Sequence, residues 1–200
     1  MKQKLDLRVA KTRRSIKEAF SSLILTKPVN RITVTELTER AEISKGTFYL
    51  HYLDIYDLYN KLVGEIADKI AMSFDPYPDL FTSPEAFVRT FLFAQVGLLA
   101  EPLTAAERAI LSEKNIRFSD NYPTCFVDAF RRQIYKVGKL VPCMENDVKI
   151  EFLVTGMLSV VVKYPTLAGS PSQKEFVVRY LASVIRETFP EFYQIGRAHV

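Results

Sequence analysis

Cysteine is scarce in this chain: Cys125 and Cys143 are the only two, with no close spacing to each other or to a histidine. Neither a disulfide framework nor a zinc site is expected, and both read as ordinary reduced thiols. Glycine is sparse, seven in 200 residues, and no segment is repetitive or compositionally biased, which argues against disorder and against a solenoid. Long apolar runs are missing as well. The strongest, at 91–100 and 152–162, are interrupted by polar residues and fall short of the roughly 18 that a membrane span needs. The opening Met1-Lys2-Gln3-Lys4-Leu5-Asp6 is charged throughout, so no secretory leader is expected, and a cytoplasmic location with no membrane partner follows. Outside the last six residues there is one histidine, His51, and there is no cluster of metal ligands, no phosphate-cradling loop and no nucleophile with a recognisable base. An enzyme, a metal and a cofactor are therefore not expected.

What is present is the composition of an ordinary folded protein, 48% hydrophobic and 25% charged, with length enough for a small module joined to a larger one. The net charge of +4 is informative once placed along the chain. Residues 1–60 carry 11 Lys and Arg against 7 Asp and Glu, whereas the remainder carries 16 against 16. Lys2, Lys4, Arg8, Lys11, Arg13, Arg14 and Lys17 face only Asp6. Such a cluster is either a solvated helix face or the footprint of a polyanion-binding module.

Apolar residues recur at helical spacing and the breaks are marked by caps and prolines, so the fold class is all-α, with about nine helices. The first is predicted over 7–25, with Val9, Ile16, Phe20 and Leu23 on one stripe, and Lys27-Pro28 ends it. Thr33 and Glu36 form a capping box for the second, with Ile32 stapled against Leu37. Glu42-Ile43-Ser44 reads as a tight turn, and Ser44 caps a short third helix through His51. A fourth spans 54–73, before the break Asp75-Pro76-Tyr77-Pro78. Beyond it, Ser83-Pro84-Glu85 opens a helix to 100, Thr104 with Glu107 a shorter one to 114, and two more cover 124–140 and 146–163. Ser172 with Glu175 makes a third capping box for a helix to 188. Residues 195–200 fit no cap or packing logic and read as an artefactual tail.

A longer helix, then two short ones joined by a tight turn, is the order of a helix-turn-helix. The stretch Ser44-Lys45-Gly46-Thr47-Phe48-Tyr49, followed by His51-Tyr52, closely resembles the signature of the TetR/AcrR family of transcriptional regulators, over about residues 9–62. The resemblance implies an N-terminal three-helix DNA-binding domain (1–53) and a C-terminal helical bundle for ligand binding and dimerisation (54–194). Two positions depart from the pattern: Glu42 stands where the family often has glycine, and Ile55 where many members place a phosphate-binding lysine.

The residues make chemical sense beside the family name. Ala41, Phe48 and Tyr52 can pack the short helices together, leaving Lys45, Gly46 and Tyr49 on a face suited to the major groove. Ser44, Thr47 and His51 suit phosphate oxygens, and Thr33 and Thr35 can add backbone contacts. Leu50 is apolar at a position facing DNA, where it either meets a thymine methyl or covers a neighbouring side chain. In the C-terminal part, Phe87, Phe91, Phe126, Phe130 and Phe152 are candidates for core or for a mainly apolar ligand cavity, with Arg89, Gln95, Arg117 and Arg131 as polar contacts. Phe152, Gly156, Ser159 and Val160, with Phe176, Tyr180, Val184 and Ile185, form the expected dimer interface. The implied function is a homodimeric repressor released from double-stranded palindromic operator DNA by a small apolar effector. A TetR-like activator or chromosome organiser controlled by a protein partner is the alternative.

Overall fold

The computed structural model describes residues 2–75, 77–95, 103–116, 122–164 and 171–193. Among them are ten α-helices: α1 (Lys2–Ile24), α2 (Val34–Arg40), α3 (Lys45–Tyr49), α4 (Ile55–Ser73), α5 (Pro84–Gln95), α6 (Ala105–Ile110), α7 (Glu113–Ile116), α8 (Tyr122–Lys136), α9 (Met144–Lys163) and α10 (Pro171–Thr188). The count exceeds the expected nine because the helix predicted to 114 breaks at Leu111-Ser112 into α6 and α7. Contacts divide the chain into one unit of Met1–Ile66 with Leu103–Tyr122 and another of Ala67–Pro102 with Pro123–Val200. The residues read as an artefactual tail lie outside the described ones.

In the first unit, Ile16, Phe20 and Leu23 of α1 are buried with Leu37 of α2, Phe48 of α3 and Leu58, Tyr59 and Val63 of α4. Docking of α6 and α7 depends on two buried polar groups. The Tyr59 hydroxyl donates to the Ile110 carbonyl at 3.0 Å, and burial pushes that hydroxyl's pKa far above its usual value. The Val29 N–H donates to Asn115 Oδ1 at 2.9 Å, while Asn115 Nδ2 donates to the Ala109 carbonyl at 2.8 Å. Without Asn115 an enclosed N–H would lose its acceptor, a loss of about 1–3 kcal/mol.

The caps are only partly as expected. Thr104 and Glu107 form the complete box, each side chain accepting from the other's backbone N–H. Thr33 accepts from the Glu36 N–H at 3.2 Å, but the Glu36 carboxylate turns away to Lys27 Nζ at 2.6 Å. At α10 the predicted box is replaced: Pro171 is already helical, and Glu175 pairs with Arg89 and Arg179. In both failures a cation brought near by the fold outcompetes a backbone donor for the carboxylate.

The turn between α2 and α3 holds one residue in a left-handed conformation. The Ile43 N–H donates to the Thr38 carbonyl at 3.0 Å, and the Glu42 N–H to the Glu39 carbonyl at 3.2 Å, the paired bonds of a Schellman ending. The residue after the cap must then be left-handed, and Glu42 has φ 55°. Glycine normally fills that position because a Cβ costs about 1–2 kcal/mol there. Glu42→Gly is expected to stabilise the chain by up to about 1 kcal/mol in chemical denaturation, after the added flexibility of the unfolded chain is subtracted; a loss of stability would refute the left-handed assignment.

The second unit is held by aromatic packing. The Phe74 ring lies 4.9 Å from Tyr77, 5.5 Å from Phe87 and 5.4 Å from Phe130, and Phe126 stacks on Phe130 at 4.5 Å. Helices α5, α9 and α10 enclose further core residues, among them Val88, Leu153, Met157, Val178 and Ile185. Arg186 of α10 holds Glu85 of α5 at 2.6 Å, a hydrogen bond that lowers the Glu85 pKa.

Candidate nucleic-acid interface

Helix α3 is too short to be stable alone, so both of its ends must be fixed by neighbours. At the start, Ser44 Oγ accepts from the Thr47 N–H at 3.0 Å and lies 2.9 Å from Thr47 Oγ1. At the end, Phe48 is fully buried and its ring meets that of Tyr52 at 5.7 Å, which pins the helix to the core by one side. The opposite side is thereby turned outward. Lys45, Gly46, Tyr49 and Leu50 are exposed, Tyr49 by 56% and Leu50 by 82%, while Thr47 and His51 are half-buried. Thr33 and Thr35 at the start of α2 are exposed too. All nine DNA-facing candidates thus fall within the first unit.

Several features of this surface escaped the sequence reading. Helix α4 is capped by Asp54, whose Oδ1 accepts from the Asp57 N–H at 2.8 Å, and Asp57 Oδ2 accepts from the Leu53 N–H at 3.0 Å. The three-residue spacing of Asp54 and Asp57 was the available signal. Burial works against the Asp57 charge, yet the hydrogen bonds from Leu53 and Lys61 outweigh it and lower its pKa. Lys61 is exposed, and it lies 2.9 Å from Asp57 and 5.0 Å from the centre of the Tyr52 ring, so its charge is paired within its own unit. Ile55 at the start of α4 is buried and serves packing. On α1, Arg8, Lys11, Arg13 and Arg14 are exposed, and Lys17 pairs with Glu65.

The ligand candidates do not assemble as one set. Phe87, Phe91, Phe126 and Phe130 are all fully enclosed in the aromatic cluster. A ring facing a water-sized void would retain accessible surface, so among the described residues these four fill the space between them. Phe152 stands apart from them, 70% exposed beside an open groove with Gly156 and Ser159. Arg89 is paired with Glu175, and Arg131 with Asp128 and Glu151. Arg117 and the side chain of Gln95 lie outside the described residues.

The dimer candidates divide differently. Phe152 and Gly156 on α9 and Phe176 and Tyr180 on α10 are exposed, and Val160 and Val184 are half-buried. The Phe176 and Tyr180 rings stack at 6.2 Å. Ile185 is the exception: it is fully buried and belongs to the core of its own unit.

Among the described residues, no helix is long and apolar enough to cross a membrane, and no group of His, Cys, Asp and Glu is arranged to hold a metal ion. No family model matches the sequence, and no curated protein is significantly similar to it. Among solved structures, a TetR transcriptional regulator from Rhodococcus sp. RHA1 aligns over 88% of this chain and 95% of its own, with a TM-score of 0.50 and 17% identity. Two structures of NalD, the secondary repressor of the MexAB-OprM multidrug efflux pump in Pseudomonas aeruginosa, align at TM-scores of 0.43 and 0.45 and 17% identity. They cover 90% and 92% of this chain and 97% and 96% of theirs. With ten helices among the described residues and a capped α2-turn-α3 in the first unit, the chain therefore has the all-helical fold of the Rhodococcus TetR regulator.

Proposed function

We propose that this protein is a sequence-specific DNA-binding transcriptional regulator that acts as a homodimer. The observation that carries the reading is the two-sided character of α3: Phe48 anchors one side, and Lys45, Gly46 and Tyr49 are exposed on the other. Lys45 donates to guanine acceptors or phosphate, Tyr49 supplies a ring and a hydroxyl, and Gly46 lets the backbone approach the bases. Ser44, Thr47, His51, Thr33 and Thr35 supply donors to phosphate oxygens that fix register. One hydroxyl hydrogen of the Ser44–Thr47 pair stays available for this whichever oxygen donates to the other.

The exposed apolar stripes of α9 and α10 support dimerisation, since soluble monomers seldom leave such side chains contiguous and uncovered. Gly156 favours close approach: a Cβ built there meets nothing within 4 Å. A two-fold dimer of this kind sets its recognition helices roughly 34 Å apart, one turn of DNA, and reads a palindrome. Phe176→Glu is expected to convert a dimer into a monomer at micromolar concentration by light scattering; an unchanged mass would remove α10 from the interface.

Selection of bound genomic fragments, followed by a salt titration, tests the DNA reading. Alanine at both Lys45 and Tyr49 is expected to lower affinity for the recovered duplex by at least tenfold, each base-reading side chain being worth about 1–3 kcal/mol. Unchanged binding would overturn the assignment. The regulator reads as a repressor released by a small apolar effector, which must part the closed aromatic rings to enter. That closure favours a second reading, control by a protein partner without any small ligand. A thermal-shift screen of apolar compounds separates them, because a bound effector raises the melting temperature.

A further inference from the structure

Resting on the reading of α3 as the helix that faces the bases, we infer that Leu50 is a specificity-determining residue that reads the C5-methyl group of a thymine in each half-site. Of the two roles open to it, covering a neighbouring side chain is disfavoured by its exposure: at 82% most of its surface is turned away from its own chain. A partner for that apolar surface would come from outside. Helix α3 begins with the exposed cation Lys45, and positive charge is in excess over the first sixty residues, so the charge complement of this region is a polyanion. The wall of the major groove offers such a polyanion's apolar features in one place only, the methyl groups at C5 of the pyrimidines, which thymine carries and cytosine lacks.

Local geometry supports the contact. Leu50 follows Gly46 by four residues and still has helical backbone angles, φ −70° and ψ −18°, so the two positions share a face. Side chains on a helix lean back over the preceding turn, and for Leu50 that turn is the one where Gly46 has no side chain. Even a Cβ at Gly46 would meet only Ser44 Oγ, at 3.7 Å, within the chain. An isobutyl group leaning that way would lie over a flat part of the helix, where a base edge and its methyl can come close together. Beyond it, Leu53 is also exposed by 81%, and its backbone is fixed by the hydrogen bond to Asp57, so the apolar character continues past the helix end.

Deoxyuridine isolates this contact, because it differs from thymidine by the methyl alone and keeps every hydrogen-bonding group. A duplex is first recovered by selection from a random-sequence pool, and each thymine is then replaced in turn by deoxyuridine. The full chain is expected to bind about fourfold more weakly when one particular thymine of a half-site is replaced, the value of one buried methyl. Leu50→Ala is expected to bind the thymine and uracil duplexes equally, with a melting temperature like that of the parent because the side chain is exposed. Equal binding of every substituted duplex by the parent chain would overturn the inference while leaving the DNA-binding reading intact. A preference for thymine that persists undiminished in Leu50→Ala would assign the methyl to another residue and overturn it too. Failure to recover any duplex would instead remove the DNA-binding reading on which it rests.

Discussion

Phe130→Ala is expected to destabilise the chain by about 3–5 kcal/mol, read from urea denaturation. The magnitude follows from the environment. Phe130 is fully enclosed and lies within 5.5 Å, ring centre to ring centre, of Phe74, Tyr77, Phe91 and Phe126. Removing its ring forfeits transfer free energy and also leaves a cavity that four rigid aromatic neighbours cannot collapse to fill. The variant also probes the effector reading. A dry, ring-sized void lined by aromatic groups takes up benzene, and benzene is then expected to raise the melting temperature of the variant while leaving that of the parent unchanged. A loss below about 1 kcal/mol would mean that the ring is not enclosed as described.

Gly46→Ala separates folding from recognition. Glycine within a helix destabilises it by about 0.5–1 kcal/mol relative to alanine. In this chain a Cβ at Gly46 would make one ordinary contact, with Ser44 Oγ at 3.7 Å, so nothing in the fold requires its absence. The variant is expected to be as stable as the parent or more so. Its affinity for the recovered duplex is expected to fall by about tenfold to a hundredfold, the penalty of about 1–3 kcal/mol for forcing a methyl into a packed contact. Intact binding with raised stability would show that the backbone at Gly46 does not approach the bases. Lost stability would mean that the glycine serves the fold. Leu50, one turn along the same face, gives the complementary measurement, since there a methyl is removed from the DNA rather than added to the protein.

The outcome at individual residues shows how far local information reaches. Ser44 was legible as a cap because its partner, the Thr47 N–H, lies three residues away in the same turn. Thr104 and Glu107 were legible for the same reason. The Thr33 box was only half right, since Lys27, nine residues from Glu36, competes for the carboxylate. Glu42 was marked as a departure from glycine, but its left-handed conformation was not foreseen. It is dictated by hydrogen bonds to the Thr38 and Glu39 carbonyls, which the end of α2 sets in place. The aromatic residues were the least legible. Phe126, Phe130 and Phe152 have similar spacings and identical chemistry, yet the first two are enclosed and the third is exposed. Helical periodicity assigns residues to faces without saying which face meets another helix.

By itself the sequence determined the all-helical class, the places where most helices begin, the basic bias of the first sixty residues, and the motif that puts Lys45, Gly46 and Tyr49 on one side of a short helix. These follow from interactions within a turn or two of helix, where spacing along the chain equals spacing in space. Only the tertiary structure decided that Leu103–Tyr122 belongs with the N-terminal unit, through Asn115 reaching Val29 eighty-six residues away. It also decided that the candidate ligand rings close on one another and that Leu50 is left uncovered. Such choices depend on which apolar faces find partners, and burial is won collectively by surfaces distant in sequence, so no local pattern encodes them.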